Sequence, residues 1–230
     1  MTSVVPPPRT ATPVLTVRRL TRTEDGERLH TLLWPAGPGW RMISSAVLGG
    51  GVGERSWVLN AQVPHGYRRI DPDTHLTELA REAGVRGAGV GLMTAADVAG
   101  YAHAHDGGAE ALATAGIGVR GWAAVPGEGS DRPPAPGTVN IVAALPVALT
   151  DAALVNAVTT ATEAKVQALL DAGHDCSGTP TDAVCVAARV PRAGEEVHAF
   201  AGPRSLWGAR LARAVHRAVH RAAARCADPV

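Results

Sequence analysis

Residues 137–190 constrain the fold more than any other stretch, because they read in turn as strand, helix and strand. Gly137-Thr138-Val139-Asn140-Ile141-Val142-Ala143-Ala144-Leu145-Pro146 is a β-type run. A long helical run then carries Glu163-Ala164-Lys165, and Ser177-Gly178-Thr179-Pro180-Thr181-Asp182-Ala183 leads into a second apolar run. Two strands joined by a long helix imply an α/β framework, and polar residues gather where its elements meet, the usual place for an active site. Thr150 is the expected N-cap, Asp151 suits the positive end of the helix dipole, and Gly173 supplies the stop. Val155, Val158, Thr162, Val166 and Leu169 recur at helical spacing and are expected to face the core. Asn156, Thr159, Thr160, Glu163 and Gln167 form a polar stripe beside them, which reads either as a cavity lining or as a solvated face.

An earlier stretch echoes this order. Residues 57–64, 72–83 and 87–95 again read as strand, helix and strand, and Asn60 takes the place that Asn140 has in the later unit. The pattern suggests a duplicated strand-helix-strand unit, and side-by-side packing of the two units would bring Asn60 and Asn140 together. The expected fold is a single α/β domain over residues 14–230, with α+β as the alternative, built on a mixed β-sheet with packed helices. Residues 1–13 are Pro-rich and read as a disordered tail. Residues 14–21 and 28–34 alternate around Glu24-Asp25-Gly26-Glu27 and predict a hairpin, and a strand is expected over residues 40–48. The glycines from Gly49 to Gly53 let backbone approach a ligand closely. They lack the Lys-Ser/Thr ending of a phosphate loop, so a wide turn against a bulky ligand is the preferred reading. A short helix is expected over residues 96–106, a strand over 115–125, a surface loop over 126–136, a strand over 197–200 and a helix over 203–225 with Pro203 at its first position.

Composition removes several classes of function. Lys and Arg total 22 against 21 Asp and Glu, so nothing points to a polyanionic partner, and 3% aromatic residues leave little for stacking nucleic acid bases. No run approaches the roughly 18 consecutive apolar residues of a membrane helix. Cys176, Cys185 and Cys226 make neither a disulfide framework nor a paired metal-ligand spacing, which fits a reducing cytoplasm. His216 and His220 share a helix face, but Arg213, Arg217 and Arg221 surround them, no carboxylate is expected nearby, and no metal is expected. The oligomeric state is left open, a homodimer included.

Several motifs in one order resemble the adenosylcobinamide amidohydrolase family of cobamide salvage. They are Ile43-Ser44-Ser45-Ala46 with Gly49-Gly50-Gly51, Asn60, Val63-Pro64, Val90-Gly91-Leu92-Met93-Thr94-Ala95, Gly137-Thr138-Val139-Asn140, residues 149–157, Thr160-Ala161-Thr162-Glu163-Ala164-Lys165 and Gly178-Thr179-Pro180-Thr181-Asp182-Ala183. The resemblance covers residues 40–190 and departs from the family pattern at Pro180, where a small residue is expected between two threonines. It implies hydrolysis of the amide between the corrin side chain and aminopropanol, giving adenosylcobyric acid, with the corrinoid as substrate and no cofactor. The alternatives are a non-catalytic corrinoid carrier and an unrelated small-molecule amidase.

Amide hydrolysis needs an activated water or nucleophile, donors for the oxyanion, and an acid for the leaving amine. The chain has no Gly-x-Ser-x-Gly elbow, and Cys176 beside the Ser-Gly-Thr turn reads as a small buried residue. Water attack assisted by a carboxylate is therefore expected, with Glu163 as first choice for the base and Asp182 as second. Their segments are adjacent in sequence and are expected to converge. His65 is the candidate acid for the amine. Asn60, Asn140, Asn156, Thr179, Thr181 and the glycines Gly49, Gly50 and Gly51 are the candidate substrate-binding residues. Lys165, on another helix face from Glu163, is expected to pair with a different carboxylate.

Overall fold

The first alternating stretches do fold as a hairpin. In the computed structural model, which describes residues 13–125 and 137–226, Asp25 and Gly26 both take positive φ (50° and 80°), as a tight two-residue hairpin turn requires. The chain then runs β1 (Arg18–Glu24), β2 (Glu27–Trp34), β3 (Trp40–Ser44), β4 (Gly51–Glu54), β5 (Val58–Gln62), α1 (Pro72–Glu82) and β6 (Val90–Thr94). It continues through a 3-10 turn (Val98–Gly100), β7 (Ala102–Asp106), β8 (Ala109–Gly116), β9 (Thr138–Leu149), α2 (Asp151–Asp171), β10 (Ala183–Arg189), β11 (Val197–His198) and α3 (Leu206–Ala223). The tail and the 126–136 loop expected from the sequence lie outside the described residues, apart from Pro13.

The strands form two mixed sheets where the sequence predicts one. One has the order β1-β2-β5-β6; the other has the order β4-β3-β10-β9-β8-β7, with β11 added beside β9. Alternation along each strand explains the layers. Leu32, Val58 and Leu92 of the smaller sheet pack against Met42, Leu112, Val142 and Cys185 of the larger. Leu33, Leu59 and Ala61 face the other way, onto Leu76 and Leu79 of α1. Ile141, Ala143 and Val186 cover α2 and α3 on the far side of the larger sheet. The order is therefore helix, sheet, sheet, helices.

Both expected strand-helix-strand units are present as parallel pairs, β5 with β6 around α1 and β9 with β10 around α2. They face each other across the sheet interface. Thr150 caps α2, its hydroxyl accepting from Ala153 N at 3.1 Å, and Gly173 leaves the helix at φ 85°. The buried stripe of α2 differs from the expected one: Val155 is 54% exposed, while Ala153, Ala157, Ala161, Ala164 and Ala168 are buried. Alanine lets α2 lie close to the sheet and to α3; Val155 turns outward, Val158 is partly buried against the core, and Leu169 is buried as expected.

Residues 96–106 form the 3-10 turn and β7 instead of a helix, and Gly107-Gly108 (φ 53° and 95°) turns the chain back into β8. That strand ends at Gly116, so the expected strand at 115–125 is absent. Helix α3 begins at Leu206, capped by Ser205 Oγ accepting from Gly208 N, with Pro203 just outside it. His216 does have a carboxylate beside it: Nε2 lies 2.7 Å from Asp171 Oδ2, contrary to the sequence reading.

The arginines of α3, with Arg225 just beyond its end, cover the free edge of β7. Arg225 donates to the carbonyls of Gly100 and Tyr101, Arg221 to that of His103, and Arg217 to that of His105, while Arg213 and Arg217 both pair with Asp106. The Arg213 guanidinium holds the Asp106 carboxyl below its ordinary value. An edge strand with engaged carbonyls is a poor template for a second chain. Replacing Arg217 and Arg221 together by Ala should leave the secondary structure intact by circular dichroism yet raise self-association, seen as larger species in light scattering at increasing concentration.

Candidate functional site

A cleft of about 470 Å³ opens where the two strand-helix-strand units meet. Val63, Thr94 and Ala95, at the carboxyl ends of β5 and β6, form one wall; Gly137, Thr138, Thr181, Asp182 and Ala183, at the amino ends of β9 and β10, form another. Ser45 to Val47, which follow β3, complete it. The cleft thus uses strand carboxyl ends from one unit and amino ends from the other. Among the described residues that line it, Asp182 is the only one with an ionisable side chain.

Asp182 is held from several sides. Oδ1 accepts from Val139 N at 2.8 Å and Oδ2 from Thr179 N at 3.2 Å. Thr179 Oγ1 lies 2.5 Å from Oδ1, and Lys165 Nζ donates to Oδ2 at 2.5 Å. Both partners of the Lys165–Asp182 ion pair are only 10% exposed at the side chain. Lys165 reaches Asp182 from α2, behind the sheet. A Cβ on Gly178 would overlap both Lys165 Nζ and Asp182 Oδ2, so the loop needs glycine for this close approach.

Pro180 does not separate the flanking threonines from their partners. Thr179 Oγ1 and Thr181 Oγ1 both reach the Gly137 carbonyl, at 2.8 and 2.9 Å, and Thr181 Oγ1 lies 2.6 Å from Thr138 Oγ1. This hydroxyl cluster closes the β9 end of the cleft. On the opposite side Ser45 Oγ accepts from Val184 N at 3.1 Å.

The two asparagines meet, as the duplicated pattern suggests. Asn140 Nδ2 donates to Asn60 Oδ1 at 2.9 Å and to the Met93 carbonyl at 3.0 Å, and Asn60 Nδ2 donates to Thr114 Oγ1. Both residues are buried, so their amides join the two sheets beneath the cleft, beside Met93, which lines it. Asn140 Oδ1 has no partner among the described residues.

Other candidates lie elsewhere. Glu163 is exposed and lines a separate groove with Asn156, Phe200 and Pro203, so the expected convergence with Asp182 is not found. The cause is helical rotation: residues two apart point about 200° apart, so Lys165 and not Glu163 faces Asp182. Asn156 Oδ1 accepts from Ala201 N and fixes the approach to α3. His65 is exposed in the turn after β5 and is not among the residues lining the cleft, although Val63 and Pro72 of the same connection are. Gly49 and Gly50 abut the backbone of Gly89 and Ala46, and Gly51 opens β4, so these glycines serve backbone packing and a turn. Cys176 is fully buried, and burial pushes its thiol up.

Lys165 is the residue that sequence reasoning did not place in the site. The available signal was a lysine within a stripe of small residues, Ala157, Ala161, Ala164 and Ala168, where a solvated side chain does not belong.

Removing one member of a buried ion pair strands the other charge, at a cost of about 3–5 kcal/mol. Lys165→Met should lower the unfolding free energy by about that amount in urea titration, and Gly178→Ala should also be destabilised. A Lys165→Met loss below about 1 kcal/mol would mean the pair behaves like a surface contact.

The family model described as adenosylcobinamide amidohydrolase matches residues 15–228, spanning both units and α3. A curated relative from Methanosarcina mazei, named adenosylcobinamide amidohydrolase, is 35% identical over 143 residues, covering 62% of this chain and 67% of the relative. A match across nearly all the described residues, with the cleft-lining motifs inside it, means that this chain belongs to the adenosylcobinamide amidohydrolase family.

Proposed function

We propose that this protein hydrolyses the amide joining aminopropanol to the corrin side chain of adenosylcobinamide, releasing adenosylcobyric acid and 1-amino-2-propanol, and that the cleft between the two units is where it does so. The observation carrying this reading is that Asp182 is the single ionisable group among the described residues that line the cleft. Amide hydrolysis by water requires one group able to take and return a proton, and a positioned carboxylate meets that need. Apolar walls from Val47, Val63, Leu92 and Met93 suit a bulky ring with amide-bearing arms, and the hydroxyls of Ser45, Thr138 and Thr181 offer partners to those amides.

The reaction balances with water alone as co-reactant. Water oxygen bonds to the amide carbon as its proton passes to Asp182, and the carbonyl π electrons move to oxygen. Collapse of the tetrahedral species breaks the C–N bond, and the proton returns to the departing nitrogen. Lys165 holds Asp182 in place from the helix side. The substrate is a small corrinoid, and neither nucleic acid, membrane surface nor cofactor enters the reaction. No helix among the described residues is long and apolar enough to cross a membrane. Three free cysteines suit the reducing cytoplasm in which we place the reaction.

Incubation with adenosylcobinamide should release aminopropanol, followed by mass spectrometry. A change in the visible spectrum without release would overturn the hydrolase reading in favour of a carrier. Asp182→Asn, which is destabilised by the stranded Lys165 charge, should reduce kcat by about 10²–10⁴-fold when assayed at a temperature where circular dichroism shows it folded, and an equal loss in Glu163→Gln would move the proton-transfer role away from this cleft.

A further inference from the structure

We infer that Thr179 is a positioning residue whose hydroxyl follows the protonation state of Asp182, an assignment that rests on the hydrolytic reading above. The hydroxyl has one proton and two acceptors within reach, Asp182 Oδ1 at 2.5 Å and the Gly137 carbonyl at 2.8 Å. When Asp182 is a carboxylate, the hydroxyl donates to Oδ1. When Oδ1 carries the proton taken from water, the donation reverses: the acid O–H donates to Thr179 Oγ1, and the hydroxyl proton turns to the Gly137 carbonyl. That carbonyl has two lone pairs and accepts Thr181 as well, at 2.9 Å.

The exchange needs only rotation about the Thr179 Cβ–Oγ1 bond. Every other contact of Asp182, from Val139 N, Thr179 N and Lys165 Nζ, stays as it is. A carboxylate fixed by donors alone would lose one of them on protonation, since a donor pointed at an O–H is left unsatisfied. Thr179 is the only one of these groups that can change from donor to acceptor. Thr179 is not among the described residues that line the cleft, and its hydroxyl reaches Asp182 and the Gly137 carbonyl, so it acts through the carboxylate and not on the substrate.

The test compares Thr179→Val, which keeps the shape and removes the hydroxyl, with Thr179→Ser, which keeps the hydroxyl, using adenosylcobinamide and the wild-type protein. Thr179→Val should lose about 10-fold or more in kcat with KM within about twofold, while Thr179→Ser keeps most of the wild-type kcat. Should Thr179→Val not fold, Thr179→Ala carries the same comparison. Wild-type kcat in the hydroxyl-free variant, an equal loss in Thr179→Ser, or a rise in KM at unchanged kcat would each overturn the assignment. A wild-type protein that releases no aminopropanol would instead refute the hydrolytic reading itself.

Discussion

The amide bridge between Asn60 and Asn140 is the contact on which the geometry of this molecule turns. Two sheets packed face to face through aliphatic side chains can slide at little cost, because dispersion and burial are not directional. A pair of buried amides cannot. Each must find its partner or bear an unsatisfied polar group worth roughly 1–3 kcal/mol, and a one-residue slip would turn the asparagine to the other face of its sheet. The bond from Asn140 to the Met93 carbonyl extends the lock to a backbone group of the opposing sheet. Alignment of the carboxyl ends of β5 and β6 over the amino ends of β9 and β10 follows, and the cleft lies at that junction.

Around this lock the core is made of small side chains. Alanine stripes on α2 and α3 set both helices close against β8, β9 and β10, which is how a chain with a single Phe closes its interior. Close approach has a second effect. It brings a lysine on the inner side of α2 within reach of the loop before β10, where a more distant helix would leave Asp182 without its counter-charge. Packing density and site chemistry are therefore one design problem here, solved by the same residues.

The parts of this arrangement legible in the sequence were those written in local chemistry. Asp25-Gly26, the Thr150 cap, the Gly173 stop and both strand-helix-strand units rest on turn residues, caps and hydrophobic periods, and each appears in the structure. The parallel between Asn60 and Asn140 was visible as well, because both stand in comparable places along their strands. What local chemistry does not encode was missed. Alternating His and Ala in β7 looks helical because alanine favours helices, and only pairing with β8 makes it a strand. Val155 looked like core because valine is more apolar than alanine, but spacing between layers decided which face was buried. Glu163 drew attention as the nearest carboxylate in the resembling motif, whereas the helical rotation that presents Lys165 to Asp182 is a property of three dimensions. Division into two sheets likewise depends on which strands pair, and no single segment carries that information.

The arginine row that runs along α3 and ends just past it at Arg225 works like a vernier scale laid along β7. Four residues of helix advance about 6.0 Å and two residues of strand about 6.6–6.8 Å, so each guanidinium falls slightly out of step with the carbonyl it serves. Over the two steps from Arg217 to Arg225 the drift reaches about 1.2–1.6 Å, within the span of a single guanidinium group, and Arg225 already divides its bond between Gly100 and Tyr101. A matched edge of this kind has a natural maximum length. With five residues, β7 sits within it, and a longer margin would need some other means of being fenced off.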